Sequence, residues 1–291
     1  MNRSERMDIL VEGLSFPEGP TWSERDQRLY FVEWQGNRVL SWDGRRVAQI
    51  FSPEPGGGPS GLGLSPEGNF WLCLYDARKL ALYSPRGDPL LEITDFQGRP
   101  FRGVCDLAVD SRGGVYFTDS GDFEDDWRKG QPAGSVYFLP PSGELLCVDT
   151  GLRFPNGLAV SPDESHLYVN EHRKNRTLVY DLLAEGRFGP RRVFFTHDNL
   201  NLLEQQSAYE LGPDGSCLDW DGCIWAAHFG GGKLVQMSPD GCLRRLLYLH
   251  RGRKPTNLTC CLPKRLLYAT EAEFGLLYQI AGIGTIEGDS R

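Results

Sequence analysis

The 291-residue chain is 40% hydrophobic, 11% aromatic and 24% charged, a composition able to bury a sizeable core. All-β barrels and propellers reach this length as one unit, so a single domain over residues 1–291 is expected. The net charge of −8 comes without a basic run, which argues against nucleic acid, because that partner needs clustered Lys and Arg to displace phosphate counterions.

No stretch approaches the roughly 20 apolar residues that cross a bilayer. Near the start only Ile9-Leu10-Val11 is apolar, with no signal-peptide core. No membrane partner is expected, and the expected location is the cytoplasm. The eight cysteines form no CxxC pair and are expected to be free, mostly buried thiols.

Residues 8–11 read as a strand that completes the last unit of a closed ring. A phrase then recurs along the chain: a small or Gly-rich start, an apolar pair, a turn, an aromatic-centred strand and a further strand. Its cores are Leu29-Tyr30-Phe31, Phe70-Trp71-Leu72, Val115-Tyr116-Phe117, Leu167-Tyr168-Val169, Ile224-Trp225-Ala226 and Leu267-Tyr268-Ala269. Turns such as Pro66-Glu67-Gly68 and Pro162-Asp163-Glu164 precede them, and alternating strands such as Arg38-Val39-Leu40-Ser41-Trp42 follow.

Short strands joined by such turns make antiparallel meanders. A spacing of roughly 40 to 60 residues suits four strands per unit. The expected fold is therefore all-β: a six-bladed β-propeller with four-stranded blades around a central channel. The polar stretch 199–208 reads as a loop excursion.

Residues just before each core should converge on the channel. Three stand out: Glu18 in Phe16-Pro17-Glu18-Gly19-Pro20, Asn156 in Phe154-Pro155-Asn156-Gly157-Leu158, and Asp214 in Pro213-Asp214-Gly215. Any one Pro-X-Gly by itself reads as an ordinary turn. Two carboxylates and an amide meeting in a low-dielectric channel call for a cation, and oxygen ligands suit calcium, magnesium or manganese, with zinc also compatible.

These segments, together with Cys105-Asp106-Leu107-Ala108-Val109-Asp110 and Val115-Tyr116-Phe117-Thr118-Asp119, resemble the regucalcin, gluconolactonase and luciferin-regenerating-enzyme family over nearly the whole chain. The resemblance implies a six-bladed propeller with one central divalent metal, calcium first, held by Glu18, Asn156 and Asp214. It implies hydrolysis of a small-molecule lactone, with Asp214 or Asp106 as general base. Asp106 equally reads as a turn-capping residue.

The family often places Asn where this chain has Cys105. The thiol is compatible with a packing substitution, a reactive thiol or a soft metal ligand. Cys105 and Arg102 are the candidate substrate contacts, although the spacing of Arg102 matches the family poorly. His172 and His228 follow their cores and are expected at the opposite end of the channel or in a rim loop.

No Gly-x-Ser-x-Gly elbow or phosphate loop is present. Two other functions fit the same fold: a phosphotriesterase resembling diisopropylfluorophosphatase, and a non-catalytic calcium-binding or protein-interaction propeller. Specificity is expected from rim loops 121–132 and 196–206.

Overall fold

The computed structural model describes residues 5–129, 131–183, 186–200 and 211–284. Six antiparallel four-stranded sheets form the blades of a β-propeller, spanning 17–51, 59–93, 104–152, 155–196, 212–248 and 255–281. Arg6–Val11 pairs with Leu276–Ala281 as the outermost strand of blade six, so the start of the chain closes the ring and leaves no unpaired seam. The stretch 201–208, read above as loop, lies outside the described residues, and so do positions 201–206 of the second rim loop. The first rim loop carries one π-helical turn, Phe123–Trp127.

The aromatic cores lie on the second strand of each blade: Arg28–Glu33, Phe70–Leu74, Val115–Asp119, His166–Glu171, Ile224–Phe229 and Leu266–Glu271. Their continuous apolar pattern follows from burial on both faces. Leu29 and Phe31 point into the seam with blade six, whereas Tyr30 and Val32 point into the seam with blade two. Each of the six seams holds one such cluster, so the repeat is a record of which residues lock neighbouring blades together.

The Pro-X-Gly segments holding Glu18, Asn156 and Asp214, each of which alone reads as a turn, lie within strands, whereas turns such as Pro66-Glu67-Gly68 are turns as expected. Pro17–Ser23, Pro59–Leu64, Val104–Val109, Pro155–Val160, Gly212–Leu218 and Pro255–Cys261 are the innermost strands, and they touch one another in sequence around the axis. Proline is tolerated there because the inner strand is a sheet edge, where a missing N–H breaks no ladder bond.

All eight cysteines are free, but only Cys73 and Cys261 are buried. Cys105 and Cys217 instead face cavities of the channel, because alternate inner-strand positions point away from the seams. Among the described residues no helix is long and apolar enough to cross a membrane.

Candidate active site

Aligning the six inner strands on Pro17, Pro59, Val104, Pro155, Pro213 and Pro255 puts Glu18, Ser60, Cys105, Asn156, Asp214 and Thr256 at one equivalent position. Gly19, Gly61, Asp106, Gly157, Gly215 and Asn257 occupy the next. In every blade the pairing with the second strand is irregular at this point, as between Glu18 and Thr21, Pro155 and Leu158, or Pro213 and Ser216. A bulge re-aims side chains, and here it turns a ring of polar groups toward the axis.

Four glycines in the second ring have a steric cause. A Cβ built on Gly157 would lie 2.3 Å from the Asp214 carbonyl oxygen, and one on Gly215 would lie 2.0 Å from Asn257 Cγ. The inner strands pack too closely for side chains there, except where Asp106 and Asn257 meet. Asn257 Nδ2 donates to Asp106 Oδ2 at 3.1 Å across the channel.

Glu18, Asn156, Asp214 and Cys105 line one cavity of about 80 Å³. All three predicted metal ligands are thus brought together. The carboxyl of Asp214 is pushed up by burial and then by Asp106, against a hydrogen bond with the Asn156 side chain. That of Glu18 is pushed up by burial, then by Asp214 and Asp106. Burial pushes Asp106 up to about 7, offset by the Leu107 N–H and the Asn257 amide.

Among the described residues no Lys or Arg acts on Asp106 or Asp214, whose partners are neutral amides and the Leu107 N–H, so no cationic side chain balances these carboxyls. Among the described residues no three His, Cys, Asp or Glu side chains cluster so as to hold a metal. The set here is instead two carboxylates and an amide. That donor chemistry fits a hard divalent cation, which takes oxygen ligands and tolerates open positions.

Cys105 Sγ donates to Asn156 Oδ1 at 3.2 Å. Burial, then Asp214, holds its thiol above the ordinary range, so in this arrangement it is a neutral donor. Asp106 lies on the other side of the ring, where it and Asn257 line a cavity of about 460 Å³ at the opposite opening. Arg102 Nε donates to Asp126 Oδ2 at 2.7 Å, and Arg102 is not among the residues lining the Glu18 cavity.

Of the two places expected for His172, the structure gives the rim connection after the second strand and not the opposite end, and there it lines the same cavity as Asp214. In an antiparallel hairpin the end of the second strand returns beside the start of the first, and Glu171 pairs with Pro155. Being after the core and being before the inner strand therefore describe the same end. Burial lowers the His172 pKa to about 4. His228 is fully buried with Nε2 3.1 Å from Asn175 Oδ1, outside that lining.

Residues 16–273 match the SMP-30/Gluconolactonase/LRE-like region. The chain belongs to this family. A gluconolactonase of Zymomonas mobilis is 27% identical over 281 residues, covering 90% of this chain and 77% of the relative. A 6-deoxy-6-sulfogluconolactonase of Pseudomonas putida is 29% identical over 236 residues, covering 77% and 72%. A solved gluconolactonase from Xanthomonas campestris superposes with a TM-score of 0.79 over 96% of this chain and 90% of that one; at 24% identity it speaks for the fold alone.

The family match does not expose a second set of residues that position the site. Glu33, Asp119, Glu171 and Glu271 end the second strands of four blades, and all are buried. Each accepts backbone N–H groups from the segment entering its inner strand: Ser15 on Glu33, Arg102 and Gly103 on Asp119, Arg153 on Glu171, and Lys254 on Glu271. The signal was an acid at a fixed place in the repeat, four residues after the aromatic core begins.

Glu171 also receives Arg176 Nε at 2.6 Å. Glu171→Ala removes charge-assisted bonds worth about 1.5–3 kcal/mol and loosens the segment that carries Phe154 and Asn156. A lowered denaturation midpoint together with reduced activity is expected. An unchanged midpoint would show that this carboxylate does not hold the segment.

Proposed function

We propose that this chain is a metal-dependent hydrolase that opens a small lactone. The observation that carries the reading is geometric: buried Glu18, Asn156 and Asp214, from the inner strands of three blades, line one cavity, and among the described residues no Lys or Arg acts on Asp214. The lactonase names of its relatives support the choice of reaction. Glu18, Asn156 and Asp214 would hold the ion, calcium first, with zinc, manganese or magnesium as the alternatives to be tested.

A divalent cation bound there would polarise the ester carbonyl and make water easier to deprotonate. Asp214, facing the cavity, is placed to take the proton of an attacking water. Asp106 acts from behind the ring, where its charge raises both Glu18 and Asp214 and so increases their basicity. Ser60 fixes the Cys105 backbone by donating to its carbonyl at 2.7 Å, and Thr118 fixes that of Asn156 at 2.9 Å. No feature of the site favours the phosphotriesterase or non-catalytic readings.

The test is a panel of lactones assayed after chelation and after return of Ca, Zn, Mn or Mg, with Cys105→Asn beside the parent. Activity lost on chelation and restored by a hard cation is expected, with the same metal preference in both proteins because the thiol is a neutral donor. Hydrolysis that survives chelation unchanged overturns the metal-dependent reading. A preference that moves from zinc in the parent to calcium in the variant would instead make Cys105 a ligand.

A further inference from the structure

The wall above the carboxylates is aromatic. Phe16 and Trp34 meet edge to face at 5.1 Å between ring centroids, and Trp34 meets Tyr75 at 5.2 Å. Across the channel Phe154 packs on His172 at 6.0 Å, and His172 on Phe229 at 6.1 Å. These six rings line the cavity that holds Glu18, Asn156 and Asp214. They come from equivalent places: Phe16 and Phe154 precede the inner-strand prolines, and Trp34 and His172 follow the second strands of blades one and four.

The backbone is strained to place two of them. Phe16 and Phe154 have φ of 56° and 57°, a left-handed conformation that bulky residues rarely adopt and that clusters at functional sites.

The polar tips of Trp34 and Tyr75 are already committed elsewhere. Trp34 Nε1 donates to Asp76 Oδ2 at 2.9 Å. Tyr75 donates its hydroxyl to the Gly121 carbonyl at 2.9 Å, and Ser60 donates to the Cys105 carbonyl. No Lys or Arg lines the cavity among the described residues. A polyhydroxylated ring seated here would bury several hydroxyls against ring faces, and hydroxyls without partners in an apolar site are strongly disfavoured. A hydrocarbon-bearing ring would lose nothing, and would place its one polar group, the ester, over the floor.

We infer that the substrate is a lactone with an apolar alkyl or aryl face and not a sugar lactone, a conclusion that rests on the hydrolase reading above. This departs from the sugar lactones in the names of the two relatives. The belt, not the carboxylate floor, sets the substrate class, because the floor contacts only the ester that all lactones share.

The full chain, loaded with the cation that restores activity, is assayed on a pentyl-substituted δ-lactone, on 3,4-dihydrocoumarin and on D-glucono-1,5-lactone. Specificity, kcat/KM, is expected to favour the two apolar lactones by about 100-fold, within the range that apolar pockets achieve. Trp34→Ala is expected to lower kcat/KM about tenfold for the apolar pair and less for the sugar lactone, so that the preference between them narrows.

Calorimetric binding of the matching lactams, which are not hydrolysed, serves as a second readout should the variant fold poorly, with tighter binding and a negative heat-capacity change for the apolar lactam. Sugar-lactone turnover equal to or above that of the apolar pair, or tighter binding of the sugar lactam, overturns the inference and leaves the hydrolase reading standing. Turnover of none of the three overturns both.

Discussion

Asp214→Asn is expected to abolish most lactone hydrolysis while making the metal-free protein more stable. The activity loss should be about 10²–10⁴-fold, the range for a proton-accepting group. The stability gain follows from the same carboxylate: it is buried, its pKa is raised by that burial and then by Asp106, and no cation acts on it. An amide of the same shape keeps a hydrogen-bonding partner for Asn156 and removes the charge. A gain of about 1–3 kcal/mol is expected, which for a protein of this size raises Tm by roughly 2–4 °C per kcal/mol.

The pH dependence has a definite sign. An acid whose pKa is raised on folding holds its proton more tightly in the folded than in the unfolded state. Its contribution to stability is therefore lost as pH climbs above the unfolded value of about 4. The chelated parent should lose stability from that point toward neutrality, and Asp214→Asn should lose less, so that the two melting curves separate as pH rises. Thermal melts at acid and neutral pH, with and without metal, check this. A variant that is less stable than the parent at neutral pH without metal would mean that the charge is compensated by the protein itself.

Gly215→Ala should be strongly damaging to both fold and site. Its Cβ would lie 2.0 Å from Asn257 Cγ, 2.1 Å from Oδ1 and 2.6 Å from Cα. The last of these is backbone, so rotation of the Asn257 side chain cannot relieve the clash. The inner strands of blades five and six must part, and the bond from Asn257 to Asp106 must stretch. A cost of about 3 kcal/mol or more is expected, a fall in Tm of roughly 6–12 °C, accompanied by loss of activity because Asp214 precedes this residue. Near-parent Tm and activity would show that the closeness of these strands is not what holds the ring of site residues in place.

Much of this molecule is legible locally. The six aromatic cores could be found without a structure because a strand buried on both faces must be apolar at every position, and that pattern is confined to a few residues. Closure by the first strand was legible for a different reason: a propeller ring must be joined, and Ile9-Leu10-Val11 is an apolar run near the start with no partner nearby. Glu18, Asn156 and Asp214 were visible because a polar residue between proline and glycine recurs at an equivalent place ahead of the aromatic core in three repeats.

What stayed hidden depends on more than one hairpin or one blade. Asn257 shares the repeat position of Gly19 and Gly157, yet only its approach to Asp106, 151 residues away, gives it a role. His172 was left between the opposite end and a rim loop because strand order alone does not state that the end of one strand lies beside the start of its neighbour. The belt of Trp34, Tyr75, His172 and Phe229 is four unremarkable residues in four blades until the ring brings them to one mouth. Local sequence encodes strands and turns, whose energetics are settled within about ten residues. Which polar groups then face each other across the axis is set by the packing of all six seams at once, and no single repeat contains that information.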